Sequence, residues 1–222
     1  MDSVDIVNIA DHPSTDHLLA MTLDGSAYHH GDLRTALLTE AAAMIDEGGT
    51  SIVTMRALGR RLGVSRSAAY RHFADKSALL VAVATAGFDH LRDRLETVGA
   101  GAPGAGIERL RRFGEVYVRF ALENPGHYRL MYGKEAITRR DQPELREVAN
   151  GLFDELVRVF RSYQKSGAIK RQDPQLQAYV AWGAVHGLAS LLIEGQILTE
   201  VDIDALIRQM TSALLDGMRV GR

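Results

Sequence analysis

The chain has 222 residues, 46% of them hydrophobic and 24% charged, with no cysteine and a formal net charge of −2. This composition excludes a disordered polymer, a disulfide-stapled scaffold and thiolate chemistry, and it fits a reducing compartment. No apolar run approaches the roughly 20 residues of a membrane span. The N-terminus lacks the cationic and apolar regions of a secretory signal, so a cytoplasmic protein without membrane contact is expected.

Residues 1–27 read as an acidic N-terminal extension: the first 30 residues hold five Asp and neither Lys nor Arg. Met21 offers an alternative start, which sets residues 1–20 apart from the remainder. From residue 31 the pattern is helical. Leu33, Leu37, Ala41 and Met44 recur at steps of three and four until Gly48 and Gly49 stop the helix. Thr54 is a good N-cap for a short second helix with Leu58 and Leu62 inside, ended at Gly63. Ser65 can cap a third helix running to about His72. Two short helices around a Gly-containing turn have the shape of a helix-turn-helix. A longer helix starts near Asp75 and Lys76 and carries Leu79, Leu80, Val83, Phe88 and Leu91.

Residues 99–106, GAGAPGAG, cannot be a stable helix interior and mark an internal boundary. Amphipathic stretches follow at about 107–123, 125–132, 143–166, 174–198 and 202–219. Pro125, Pro143 and Pro174 stand where a first helical turn tolerates proline. No strand-like alternation is sustained after residue 30. The expected fold is all-α, with a three-helix helix-turn-helix unit plus its connecting helix over 28–98 and a second helical unit over 105–222.

Charge is unevenly spread. Residues 31–53 sum to −3, whereas residues 54–76 sum to +5. A local basic patch decides nucleic-acid binding more than the whole-chain charge does. A recognition helix reads bases with its N-terminal residues, and Arg66 and Ser67 come first here, with Tyr70 and Arg71 a turn later. Arg can meet guanine in two-pronged fashion. Thr54 and Ser65, as caps, place hydroxyls beside helix-start amides that can meet phosphate. Lys76 adds a charge at the next helix start, and Tyr70 and His72 can donate to backbone oxygens and set register.

The stretches "YHHGDLRTALLTEAA" and "TMRALGRRLGVSRSAAYRHFADKSALL", within residues 28–91, resemble the DNA-binding domain of TetR-type transcriptional regulators. The "GVS…YRHFADK…LL" block is long and specific. The resemblance implies that Thr54, Arg66, Ser67, Tyr70, His72 and Lys76 touch operator DNA. Gly59 stands where an alanine is common, which is expected to loosen the second helix by about 1 kcal/mol. The acidic extension does not suit a DNA-wrapping arm.

In "AWGAVHGLASLLIEGQ" (181–196), Trp182 and His186 lie four apart on one helix face, and Gly183 and Gly187 lie four apart on the next. Paired glycines weaken a helix, and close approach of another backbone is the physical reason to keep them. With "ENPGHYRLMYG" (123–133), the W…HG pattern resembles the C-terminal domain of a TetR subgroup named for those residues. The resemblance implies a homodimer through a four-helix bundle, hence an interface at Gly183, Gly187, Leu188, Leu191 and Leu192. Tyr117, Phe120, Tyr128, Met131, Phe153, Trp182 and His186 are either walls of an effector cavity or ordinary core.

These readings combine into a homodimeric, ligand-responsive regulator that binds double-stranded palindromic operator DNA and is released by a small apolar effector, with repression the leading mode. The rivals are non-specific DNA architecture and an all-helical enzyme or metal protein built on His12, His17, His29, His30, His127 and His186. No phosphate loop, nucleophile elbow or His/Glu metal pair supports catalysis, so neither an enzyme nor a cofactor or metal is expected.

Overall fold

A computed structural model describes residues 30–100, 107–133, 142–197 and 200–220. Among the described residues the chain forms α1 (His30–Ile52), α2 (Met55–Arg61), α3 (Arg66–Tyr70), α4 (Lys76–Ala100), α5 (Ile107–Glu123), α6 (Pro125–Tyr132), α7 (Pro143–Lys165), α8 (Pro174–Ile193) and α9 (Ile203–Met218). The extension 1–27 and the Gly-rich stretch 101–106 lie outside the described residues.

The first three helices close on one small core. Leu37, Ala41, Met44 and Ile45 of α1 meet Val53, Leu58, Ala69 and Phe73, all buried. Gly48 and Gly49 break α1 as expected, and Gly49 takes the left-handed φ of 73°. Thr54 accepts from the Ala57 amide and Ser65 from the Ala68 amide, so both expected caps form. Gly63, at φ 65°, makes the turn between α2 and α3. Gly59, on which the expectation of a looser α2 rests, is buried where α2 meets the turn. A Cβ there would stand 2.9 Å from the Val64 carbonyl oxygen, so the missing side chain lets the turn close onto α2.

Two helix ends fall earlier than expected. α3 stops at Tyr70 because the His72 and Phe73 amides both turn back to the Ala69 carbonyl. α8 stops at Ile193 because Gly195 adopts φ 63° and closes the turn. Pro125, Pro143 and Pro174 each begin a helix, with Asp173 capping α8 through the Gln175 and Leu176 amides.

The two halves share a core. α4 buries Leu79, Val83, Phe88 and Leu91 in a cluster that continues through Tyr117, Phe120, Tyr128 and Met131 to Val185, Leu188 and Ile207. A smaller cluster joins Leu110, Phe160, Ile169, Ala178, Leu215 and Met218. The turn after α7 is tied to the end of α9 by the Lys170 amide donating to the Met218 carbonyl at 2.8 Å.

α8 departs from the expectation that no segment is apolar enough for a membrane. It is 20 residues long with a mean hydropathy of 1.4 over its most apolar window, sufficient by length and composition. The cause is that both of its sides are apolar. One packs on α5 and α7, while Leu176, Val180 and Leu191 remain exposed.

Candidate functional site

The basic segment forms an exposed head. Arg66 opens α3 and is held by Tyr70: its Nη2 donates to the Tyr70 hydroxyl at 3.3 Å, and the guanidinium lies 5.2 Å from the ring centroid. The four-residue spacing on a helix makes this contact, and it orders the side chain before any ligand arrives. The Ser65 and Ser67 hydroxyls are 2.9 Å apart. Thr54, Ser65, Arg66, Ser67, Tyr70 and Arg71 are exposed, and His72 is half-buried.

Lys76 is placed differently from a free surface cation. Its half-buried Nζ donates to the Thr50 carbonyl at 2.5 Å, fastening the start of α4 to the end of α1. An ammonium has three donors, so two remain for another acceptor. Arg61 is withdrawn from the patch: Glu40 and Glu47 of α1 both accept from it, at 3.0 Å and 2.5 Å. The same contact holds the Glu47 carboxyl below its ordinary range. Arg56 and Arg60, which sequence reasoning passed over, are exposed and make no ion pair among the described residues. The exposed positive surface is therefore Arg56, Arg60, Arg66 and Arg71, with the half-buried Lys76 ammonium beside it.

The second feature is a cavity of about 720 Å³ walled by α4, α5, α7, α8 and α9. Of the seven expected lining residues, Tyr117, Phe153 and Trp182 line it. Phe120 and Met131 do not. Phe120 is fully buried edge-on to His90, and Met131 fills the space left by Gly87, its sulfur 2.7 Å from where a Cβ would stand. Tyr128 and His186 stand behind the wall in a hydrogen-bonded network. The Tyr128 hydroxyl is 2.6 Å and the Tyr117 hydroxyl 3.2 Å from His186 Nδ1, and the Trp182 indole donates to Tyr117 at 3.1 Å. Burial in this network pushes the Tyr117 hydroxyl well above its ordinary pKa. Tyr132, missed from the sequence, joins the wall and meets Phe88, Trp182 and His186 at ring separations of 5.2–5.7 Å. Arg109 and Phe113 were also missed. Their four-residue steps to Tyr117 put all three on one face of α5, a signal that was present in the sequence.

The cavity connects to the head through α6. A Cβ on Gly126 would stand 2.4 Å from the Ala42 carbonyl oxygen of α1, and Arg129 pairs with Asp46 of α1 at 3.2 Å. Burial raises the Asp46 carboxyl pKa, and Arg129 partly opposes that rise.

Of the five expected interface residues, Leu188 is buried in the chain's own core and Leu192 packs against it. Both point inward because they lie a turn round from the outer stripe. Leu176, Val180, Gly183, Gly187 and Leu191 form that stripe, and among the described residues nothing approaches a Cβ position on Gly183 or Gly187 within 4 Å. No cluster of three or more metal-ligating side chains occurs among the described residues.

Residues 37–83 match the family model described as "Bacterial regulatory proteins, tetR family", and residues 110–214 match "Tetracyclin repressor-like, C-terminal domain". A solved structure of a protein with unknown function from Rhodococcus sp. RHA1 is 32% identical with a TM-score of 0.77, covering 88% of this chain and all of that one. A TetR/AcrR family transcriptional regulator from Thermobifida fusca YX-ER1 is 23% identical with a TM-score of 0.66, covering 85% of this chain and all of that one. Among curated proteins, the nucleoid occlusion factor SlmA of Vibrio vulnificus is 28% identical over 124 residues, 55% of this chain. The chain spans 62% of that relative's length.

Proposed function

The chain belongs to the TetR family of bacterial regulatory proteins, DNA-binding transcriptional regulators rather than enzymes, and on that premise we propose that it is a ligand-responsive repressor acting as a homodimer on a two-fold symmetric operator in the cytoplasm. Residues 28–98 carry the reading head and 105–222 the effector and dimer surfaces. Arg66 and Ser67 face base edges. Thr54, Ser65, Tyr70, Arg71 and His72 meet the sugar-phosphate backbone, joined by the two free donors of Lys76.

The observation that carries the reading is the cavity sharing α4 with the head, with α6 wedged against α1. A small, largely apolar molecule seated beside Leu91, Leu95 and Trp182 touches the helix that ends at the head through Lys76. It releases DNA only by binding the DNA-incompetent arrangement better, a coupling of typically about 1–3 kcal/mol. The outer stripe of α8 supplies the partner surface, its glycines allowing the partner's backbone to approach.

The exposed cations of the head, Arg56, Arg60, Arg66 and Arg71, would also serve a second reading, sequence-independent binding to DNA. A single experiment separates the two. Half-sites should lie about one helical turn apart, roughly 34 Å, or a multiple. Inserting five base pairs between them puts the two heads on opposite sides of the duplex. The proposal requires a large loss of affinity, whereas sequence-independent binding leaves affinity unchanged.

A further inference from the structure

The cavity is apolar over most of its wall, yet a cation projects into it. Arg109 begins the lining face of α5, and its Nε is buried without a hydrogen-bond partner among the described residues. The guanidinium makes no ion pair there. The neighbouring carboxylate, Glu108, is taken by Arg111, whose Nε donates to both of its oxygens at 3.0 Å. The other charged lining groups are Glu96, Glu155 and Arg158. Glu155 lies 3.7 Å from both Arg92 and Arg158, so its charge is balanced within the wall, and Glu96 is exposed to solvent.

Arg109 is thus the cation of the wall that has no counter-charge among the described residues. What supports it is the Phe113 ring, 5.4 Å from the guanidinium carbon. A buried donor without an acceptor is costly, and stacking on an aromatic ring offsets only part of that cost. Tyr163 stands at the same end: burial raises its hydroxyl pKa, and Arg109 opposes part of that rise. Arg109 and Tyr117 are eight residues apart on α5, about 12 Å along the helix. Phe113 lies between them on α5, and Phe153 shares the wall with the Trp182 indole, 5.9 Å away, which bonds Tyr117 at the far end. A polar anchor therefore sits at one end of an apolar trough.

We infer that the effector is an amphipathic monocarboxylate, its head held by Arg109 and its hydrocarbon tail laid along Phe113 and Phe153 toward Trp182. Guanidinium and carboxylate match in a planar, two-pronged geometry, and the apolar wall accepts the tail. This inference rests on the ligand-responsive reading above. It adds the sign of the ligand's charge and the residue that reads it.

Trp182 is the only tryptophan of the chain and lines the trough, so its emission reports occupancy. Decanoate, 1-decanol and decylamine share one tail and differ in the head. On the wild-type full-length protein, decanoate should bind at least about tenfold more tightly than decanol, with decylamine weaker than both. Arg109→Gln should weaken decanoate about tenfold or more and leave decanol unchanged, and Arg109→Lys should restore part of the loss. The wild-type order stands without any variant, so a poorly folding Arg109→Gln does not blunt the test. Equal binding of decanoate and decanol, each releasing DNA, would overturn the carboxylate assignment and leave the ligand-responsive reading intact. No emission change with any of the three would overturn both.

Discussion

Two glycine-to-alanine changes should move stability in opposite directions. Gly126 lies in the first turn of α6, where an added Cβ would stand 2.4 Å from the Ala42 carbonyl oxygen. Carbon–oxygen contacts settle at about 3.3–3.6 Å, so α6 must retreat from α1 by about 1 Å. Overpacking of this kind costs about 1–3 kcal/mol. For a chain of this size each kcal/mol lowers Tm by about 2–4 °C, giving a drop of roughly 2–12 °C for Gly126→Ala. Gly151, inside α7, has nothing among the described residues within 4 Å of its Cβ position. Gly151→Ala should stabilise by about 0.5–1 kcal/mol through helix propensity, raising Tm by roughly 1–4 °C. Thermal unfolding followed by circular dichroism measures both. The functional reading adds that Gly126→Ala weakens operator binding while Gly151→Ala does not, because only the first displaces α6 against the head. Shifts of the same sign in Tm would refute the steric argument, and unchanged operator affinity in Gly126→Ala would refute the coupling.

Gly187→Leu should leave the folded chain intact, since nothing among the described residues crowds that site, yet convert the dimer to a monomer in sedimentation and abolish operator binding. Arg66→Ala should relax preference at one position per half-site, costing about 1–3 kcal/mol of discrimination. Lys76→Met should instead weaken all sequences alike and flatten the slope of log affinity against log salt by about 1.8 for the dimer. It should also lower Tm through loss of the Thr50 contact, read beside the salt titration. Burial, helped by His90, depresses the His127 pKa below its ordinary 6.5, so the folded state resists the proton that the unfolded state accepts. Stability should be full above about pH 6.5 and fall as pH drops from there toward the folded-state pKa, and His127→Gln should flatten that part of the Tm–pH profile.

The reading head was legible because its signals are local. Thr54, Ser65 and Gly63 act within one turn of chain, and each does what its chemistry predicts. The helix-start prolines were legible for the same reason. The cavity was only half legible, because periodicity marks an inward face without saying whether that face meets atoms or space. Phe120 and Met131 lie inward as surely as Phe153 does, but α4 and α6 fill the space in front of them. Leu188 and Leu191 illustrate the same limit on α8. Both are leucines three apart, and only the packing of α5 decides which one is covered. Arg109 was missed because a helical cation is ordinarily solvated, and its lack of a partner emerges only when α7 and α9 close over it.

The central claim is that this chain reads a specific two-fold site and releases it to a ligand in the α4–α9 cavity. Its most direct test is to pass fragmented genomic DNA from the source organism over the purified protein, sequence what is retained at physiological salt, and repeat with decanoate present. A few enriched fragments sharing one inverted repeat are expected, lost when the ligand is added and retained by an Arg109→Gln variant that no longer holds the ligand's head. Even retention of fragments without a shared repeat, indifferent to the ligand, would contradict it.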